Sequence, residues 1–279
     1  MRLSDSVFLQ SQENQVDTLI VDNDIAQAQI SLFGGQVLSY VLKSDHRDRL
    51  WLSDAAVLDG TKAIRGGIPV CWPWFGDHSS SGMPAHGYVR TQAWHVIDCV
   101  DSAGSTQIKL KPENVSGAGF DGAADLQLSI TIADELTLQL TTMNLGTKPF
   151  QFGAALHSYF SIENIRQVQL EGVTGEYLDK AENFKRKRSL EPFLFNKETD
   201  NIHLGPIGPV AIKTKTFSIN IDFRGHDSLV VWNPWIDKSL AMADMRDDGY
   251  QSMLCVEAAV TQGISLGGGD QHTLTQIIK

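Results

Sequence analysis

Short runs in which apolar and polar residues alternate recur along most of the chain, and they constrain the fold more than any other feature. The segment at 126–132, L-Q-L-S-I-T-I, has leucine or isoleucine at every second position. This is the period of a strand with one buried face. Similar runs occur at hairpin-like intervals before and after it, at 106–111, 136–143, 210–214, 217–223 and 272–278. The pattern predicts an all-β, mainly antiparallel structure.

Helical periodicity is confined to two short stretches, residues 236–245 after the break at Pro234 and residues 181–190. Strands and helices do not alternate regularly, which disfavours a parallel doubly wound sheet or a TIM barrel. Two large antiparallel sheets packed face to face fit better. A length of 279 residues allows one or two domains. Since no linker-like change of composition occurs, we expect residues 1–279 to form a single domain.

Composition excludes several classes of partner. The formal net charge is −10, so neither a nucleic acid nor an anionic membrane is an expected partner. The cysteines Cys71, Cys99 and Cys255 form no C-x-x-C pair, which argues against a disulfide framework and a zinc knuckle. The amino-terminal segment lacks a signal-peptide pattern, and no apolar run approaches membrane-spanning length. We expect a soluble, cytoplasmic protein.

One segment departs from the strand pattern. Residues 63–90 read A-I-R-G-G-I-P-V-C-W-P-W-F-G-D-H-S-S-S-G-M-P-A-H-G-Y-V-R and are rich in Gly, Pro and aromatic residues. Two glycines beside an arginine allow a ligand or another backbone to approach closely. An ordered loop with aromatic walls and fixed cations is a candidate small-molecule site. The candidate walls are Trp72, Trp74 and Phe75, and the candidate polar groups are Arg65, His86 and Arg90.

Two ionisable side chains interrupt apolar runs in the second half of the chain. His157 lies in A-L-H-S-Y-F, and Glu257 lies in C-V-E-A-A. Each alone is more simply interpreted as structural, a hydrogen-bonded core histidine or a carboxylate in a buried ion pair. Together they supply two groups of different proton affinity, as a general acid–base mechanism requires. Metal binding is not predicted, because no third ligand stands at a telling spacing.

Several segments resemble the glucose-6-phosphate 1-epimerase branch of the aldose 1-epimerase superfamily. They are R-G-G-I-P-V-C-W-P-W-F-G at 65–76, A-H-G-Y-V-R at 85–90, A-L-H-S-Y-F at 155–160, V-V-W-N-P-W at 230–235, D-D-G-Y at 247–250 and C-V-E-A-A at 255–259. The resemblance implies a single large β-sandwich of the galactose mutarotase-like type with a few short helices. It also implies an isomerase that interconverts the α and β anomers of hexose 6-phosphates, with D-glucose 6-phosphate as the expected substrate.

The same resemblance implies roles for individual residues. Glu257 would act as general base and His157 as general acid, with their roles reversed when the sugar ring closes again, and neither a metal nor a cofactor would be needed. His86 would position the sugar. Arg65 and Arg90 would bind the phosphate, for which guanidinium groups are well suited.

Further site residues come from two later segments. The segment E-T-D-N-I-H resembles the family pattern T-D-R-[VI]-Y, which makes Asp200 a candidate acceptor for sugar hydroxyls. Asn201 stands where the family has arginine, so a cationic contact from that position is lost. Trp232 is a further candidate wall, although core packing explains it equally well. The basic run at 185–188 is interpreted as a solvated loop or helix face.

Three other functions remain open from the sequence. An aldose 1-epimerase of neutral sugars would not need the paired arginines. A non-catalytic carbohydrate or sugar-phosphate binding protein would not need both His157 and Glu257. A glycosidase would normally need two carboxylates, and only Glu257 is an obvious candidate. We expect the protein to be a monomer whose partner is a small sugar phosphate.

Overall fold

The structure, a computed structural model, describes residues 3–279. The strands of the first half are β1 (Val7–Gln10), β2 (Thr18–Asp22), β3 (Ala26–Ser31), β4 (Gln36–Leu42), β5 (Val70–Cys71), β6 (Trp94–Ser102), β7 (Ser105–Pro112), β8 (Ala124–Ile132) and β9 (Leu136–Asn144). The second half contains β10 (Phe150–Leu156), β11 (Tyr159–Ser161), β12 (Gln169–Glu171), β13 (Glu176–Asp179), β14 (Lys185–Arg188), β15 (Phe193–Leu194), β16 (Thr199–Leu204), β17 (Val210–Lys213), β18 (Ser218–Arg224), β19 (Ser228–Asn233), β20 (Met253–Leu266) and β21 (Gln271–Ile278).

These strands form three sheets whose strand pairs are antiparallel. Residues 7–42 contain the strands of a four-stranded sheet in the order β1-β2-β3-β4. A nine-stranded sheet has the order β15-β12-β17-β18-β21-β9-β8-β7-β6. An eight-stranded sheet has the order β14-β13-β16-β19-β20-β10-β5, with β11 also paired to β20. The predicted all-β fold with large antiparallel sheets is confirmed.

The two larger sheets share one hydrophobic core. The alternating residues Leu126, Leu128 and Ile130 of β8 in the nine-stranded sheet are fully buried, as their spacing predicts. They belong to the same hydrophobic cluster as Leu254 and Val256 of β20 in the eight-stranded sheet. The buried face of each sheet is therefore turned toward the other. The opposite face of the eight-stranded sheet remains available for a site.

Helical structure is sparse in the described part of the chain. It consists of one α-helix, α1 (Trp235–Leu240), and of short 3₁₀ turns at Val89–Thr91, Ile165–Gln167, Lys180–Glu182 and Gly249–Ser252. Helix α1 covers only the first part of the stretch predicted at 236–245. No helix among residues 3–279 is long and apolar enough to cross a membrane.

The second predicted helix, at 181–190, is wrong. After the turn at Lys180–Glu182 the chain enters β14, which places the basic run on an edge strand paired with β13. Cross-strand carboxylates accompany these cations. Lys187 Nζ lies 2.7 Å from Asp179 Oδ2, and Arg186 Nη1 lies 2.6 Å from Glu176 Oε2. Charged residues on an edge strand discourage pairing with another chain.

Candidate functional site

A cavity of about 190 Å³ lies on the outer face of the eight-stranded sheet. It is smaller than sites for drug-sized ligands, which enclose about 300–1,000 Å³, and suits a smaller molecule. The residues that line it include acids, bases and rings in close proximity. They are Arg65, Phe75, His86, His157, Lys180, Asp200, Val230, Trp232, Lys238, Met242 and Glu257.

Strand geometry explains how Glu257 and His157 reach this cavity. Because side chains alternate along a strand, Val256 of β20 points into the core and Glu257 points to the outer face. His157 lies in the short break between β10 and β11, where neither strand continues. Its Nε2 atom is 3.4 Å from Oε1 of Glu257. The two groups predicted to act together are thus direct neighbours.

Burial decides the protonation of this pair. Glu257 is 1% exposed, and burial followed by the nearby charge of Asp200 raises its pKa well above the usual value. Burial also lowers the pKa of His157, and the positive charges of Arg90 and Arg65 add to this. Burial therefore favours a protonated Glu257 and a neutral His157. This differs from the expected starting state, an ionised Glu257 beside a protonated His157.

His86 is a neutral hydrogen-bond donor toward the cavity. Its backbone has a positive φ of 66°, which is uncommon outside glycine and typical of functional sites. The Gly76 N–H donates to His86 Nδ1 at 3.3 Å, so the ring proton belongs on Nε2. Burial, with the charge of Arg90, lowers the pKa of His86 to about 3. The side chain can donate to a sugar oxygen but does not act as an imidazolium acid.

Arg65 lines the cavity and already has partners. Its Nη1 donates to the hydroxyl of Tyr159 at 3.0 Å, and its Nη2 lies 3.2 Å from Asp244 Oδ2. Gly67, two residues after Arg65, is required by a close approach, since a Cβ there would lie 2.2 Å from the carbonyl oxygen of Val37. The predicted tight packing beside Arg65 is therefore present.

Arg90 lies near the cavity but is not among its lining residues. Its guanidinium donates to the carbonyl oxygen of Ala85 at 2.8 Å. Within residues 3–279, no carboxylate lies within 4.0 Å of it, so its charge is not neutralised by an ion pair. That charge still reaches the site, because it affects the pKa values of His86, His157 and Glu257.

Two lysines of the cavity were missed by sequence reasoning. Lys180 Nζ lies 3.2 Å from Asp200 Oδ2, and Lys238 Nζ lies 2.9 Å from Glu198 Oε1. Burial raises the pKa of Asp200, while Lys180 opposes the shift. The sequence pointed to these lysines only indirectly. Because Asn201 replaces the arginine of the family pattern, a cation near Asp200 had to come from another segment.

The predicted aromatic walls are corrected in part. Trp232 lines the cavity, as predicted, together with Phe75. Trp72 is fully buried and packs against the rings of Tyr88 and Phe120, so it is a core residue and not a wall. Trp74 borders a separate groove, where its ring lies 4.6 Å from that of His78. Both tryptophans lie beyond the end of β5, in an irregular segment where strand alternation does not fix the direction of a side chain.

Ligand-type atoms of His157, Cys255 and Glu257 lie within 4.8 Å of one another and are the described group that could hold a metal ion. Burial raises the pKa of the Cys255 thiol, so a metal would have to displace its proton. Ring opening by an acid and a base needs no metal. The prediction of a metal-free reaction stays a prediction.

Known proteins are similar to this chain in sequence and in architecture. Residues 17–279 match the family model described as aldose 1-epimerase. A protein of Cenchrus ciliaris, provisionally named glucose-6-phosphate 1-epimerase, is 33% identical across 88% of this chain and 78% of its own length. One from Escherichia coli K12 with the same provisional name is 29% identical across 88% of this chain and 84% of its own length.

A solved structure extends the likeness to the backbone. A Salmonella typhimurium protein, provisionally described as a mutarotase, superimposes with a TM-score of 0.91 at 26% identity, covering 99% of this chain and 94% of that one. A galactose mutarotase-like protein from Lactobacillus casei has a TM-score of 0.67 at 15% identity, covering 94% and 99% of the two chains. This second likeness concerns the fold alone.

Proposed function

The chain belongs to the aldose 1-epimerase family, and we propose that this isomerase interconverts the α and β anomers of hexose 6-phosphates, with D-glucose 6-phosphate as substrate. The observation that carries the proposal is the 3.4 Å contact between His157 Nε2 and Glu257 Oε1 in a cavity that also exposes Arg65. An acid and a base side by side are what ring opening at a hemiacetal requires.

The reaction moves two protons and breaks one ring bond. A base takes the proton of the anomeric hydroxyl, an acid gives a proton to the ring oxygen, and the bond between that oxygen and the anomeric carbon breaks. Rotation about the adjacent carbon–carbon bond presents the other face of the aldehyde. Reclosure with the two roles exchanged yields the opposite anomer.

Glu257 and His157 share the exchangeable proton, which burial of the pair favours on Glu257. Transfer to His157 across their contact gives the assignment expected from the family, Glu257 as base and His157 as acid. Each half of the cycle leaves the pair with its roles exchanged, so both assignments occur in one turnover. Each group is expected to contribute about 10²–10⁴-fold to the rate.

The remaining cavity groups bind the sugar in this proposal. His86 donates its Nε2 proton to a sugar oxygen, and Asp200 accepts from hydroxyl groups. Trp232 and Phe75 supply apolar walls for the sugar ring. Arg65 binds the phosphate directly, and the unneutralised charge of Arg90 attracts it.

The test follows the anomers of freshly dissolved α-D-glucose 6-phosphate by NMR or polarimetry. Wild type should accelerate the exchange, and His157→Ala and Glu257→Gln should each slow it by about 10²–10⁴-fold. His203→Gln removes a fully buried histidine outside the cavity and is the matched control. Equal rates in all four proteins would refute the proposal.

A neutral-sugar mutarotase is the second candidate, favoured by the pairing of Arg65 with Asp244, which neutralises one cation. The two candidates differ in their dependence on arginine. For a hexose 6-phosphate enzyme, Arg65→Ala combined with Arg90→Ala should raise KM for glucose 6-phosphate at least tenfold. KM for glucose should change little. Equal changes in KM for both sugars would favour a mutarotase of neutral sugars.

We also propose that residues 1–279 act as a single domain in the cytoplasm. The first of these rests on sheet order, because β5 from the first third of the chain pairs directly with β10 in the sheet that carries the site. The second rests on the three free cysteines, which suit a reducing compartment.

A further inference from the structure

The imidazole of His157 is not held by the kind of contact that usually orients an acid–base histidine. Such a ring commonly donates its second nitrogen's proton to a carboxylate or a backbone carbonyl. His157 is 8% exposed, yet no other described residue supplies a hydrogen-bond partner for its Nδ1 atom. The orientation that brings Nε2 toward Glu257 must therefore have another cause.

Aromatic rings surround this imidazole. Tyr159 stacks on it with 4.9 Å between the ring centroids and 14° between the planes. The rings of Trp232 and His86 meet it edge to face, at 6.2 Å and 5.6 Å. The parallel stack with Tyr159 fixes the plane of the imidazole, and the edge-to-face contacts with Trp232 and His86 limit its rotation.

Tyr159 is itself fixed from several directions. It is 2% exposed and stacks on Trp51 at 5.9 Å and 20°. Its hydroxyl accepts a hydrogen bond from Arg65 at 3.0 Å. Tyr159 does not line the cavity, so it does not touch the ligand. Burial raises the pKa of its hydroxyl, which keeps that group neutral and outside the proton transfers.

We propose that Tyr159 is a positioning residue for the epimerase reaction: its ring face sets the plane of the His157 imidazole in place of a hydrogen bond at Nδ1. This inference rests on the proposed function. The π face also stabilises the imidazolium that forms when His157 takes up a proton. The hydroxyl has a separate task, which is to orient Arg65.

Two substitutions separate the ring from the hydroxyl. Tyr159→Phe keeps the stack and removes the acceptor for Arg65, so kcat should stay within about threefold of wild type while KM for glucose 6-phosphate rises. Tyr159→Leu removes the stack, so kcat should fall at least tenfold. Its KM should resemble that of Tyr159→Phe, because both lack the hydroxyl.

A double-mutant cycle tests whether Tyr159 acts through His157. Because the effect depends on the imidazole, Tyr159→Leu should lower kcat in the wild-type background. In the His157→Ala background it should cause no further loss of kcat. Equal losses in both backgrounds would overturn the proposal, as would a Tyr159→Leu variant with wild-type kcat.

Tyr40→Leu is the matched control for lost packing. Tyr40 is fully buried and its hydroxyl donates to the carbonyl oxygen of Ala133 at 2.9 Å, but it belongs to the four-stranded sheet. It should lower Tm as Tyr159→Leu does and leave kcat unchanged. A similar loss of kcat in Tyr40→Leu would attribute the effect to general destabilisation and overturn the proposal.

Crystal structures of both Tyr159 variants provide a readout that does not depend on activity. Tyr159→Phe should keep the contact between His157 Nε2 and Glu257 Oε1, and Tyr159→Leu should lose it. An unchanged imidazole in Tyr159→Leu would overturn the positioning role. Failure of wild type to exchange anomers would instead refute the proposed function, and the two failures are therefore distinguishable.

Discussion

His157 and Glu257 meet at 3.4 Å from adjacent segments of one sheet, and both are almost completely removed from water. Burial disfavours the charged form of each, which raises the pKa of Glu257 and lowers that of His157. The pair therefore keeps a single proton at every pH between the lowered pKa of His157 and the raised pKa of Glu257. An acid and a base are both present throughout that range.

This predicts a bell-shaped pH profile for kcat/KM, which reports the free enzyme. On the acid side, activity is lost only when His157 also becomes protonated, and its lowered pKa places this limb below pH 6.5. On the alkaline side, activity is lost when Glu257 gives up its proton, well above pH 4.5. Glucose is the control substrate, because a phosphate ester titrates near pH 6 itself. An acid limb at or above pH 6.5 with glucose would contradict the prediction.

If Arg65 binds the phosphate as proposed, its ion pair with Asp244 sets how much positive charge the cavity offers to that group. Asp244→Asn removes the negative charge but keeps an oxygen that can accept from Arg65. We expect the ratio of KM for glucose to KM for glucose 6-phosphate to rise severalfold, and to fall again at high salt because the attraction is screened. Steady-state kinetics with both sugars measures this ratio. A ratio that does not change would show that Asp244 does not tune phosphate binding.

The local pattern of the sequence predicted much of this site. Glu257 and His157 were predicted because each interrupts an apolar run, and Asp200 was predicted from the resemblance of E-T-D-N-I-H to the family pattern. For Glu257, the alternation of side chains along β20 explains why it lies opposite the core-facing Val256.

Contacts between distant segments could not be predicted in this way. Lys180 lies in a 3₁₀ turn after β13, and it meets Asp200 because β13 pairs with β16. Trp72 and Trp74 lie in an irregular segment without a fixed period, so their directions depended on packing. The protonation of Glu257 and His157 depends on burial, which the sequence does not display.

Gly87 offers a sharp test of the backbone beside His86. It has a φ of 70°, and a Cβ added there would lie 1.9 Å from the carbonyl oxygen of Trp72. Gly82 has a φ of 84°, but nothing lies within 4 Å of an added Cβ. Gly82→Ala should lower the free energy of unfolding by about 1 kcal/mol from the backbone conformation alone. Gly87→Ala adds a steric clash and should lower it by about 2–4 kcal/mol.

Urea denaturation of both glycine variants measures this difference. Because the clash moves the backbone next to His86, Gly87→Ala should also raise KM for glucose 6-phosphate, whereas Gly82→Ala should not. Equal losses of the free energy of unfolding in the two variants would mean that the backbone around Trp72 moves to accommodate the added methyl group at no cost in free energy.

His203 makes stability depend on pH at a position outside the cavity. Its ring is fully buried between Tyr177 and Phe193, and its Nε2 has no hydrogen-bond partner among the described residues. Burial lowers its pKa from 6.5 to about 4. Between these values the unfolded chain binds a proton that the folded protein excludes, so the free energy of unfolding falls as the pH falls. Above pH 6.5 neither state binds the proton, and the contribution to stability is complete.

The size of this effect follows from the two pKa values. Going from pH 7.5 to pH 4.5 should cost wild type about 2–3 kcal/mol more than it costs His203→Gln, which has no group to titrate at this position. His86 and His157 titrate in both proteins and cancel in the comparison. Denaturation curves at the two pH values test the difference, and equal pH dependence in the two proteins would contradict it. Since His203 lies outside the cavity, His203→Gln should retain wild-type kcat at pH 7.5, which separates this stability effect from the chemistry of His157.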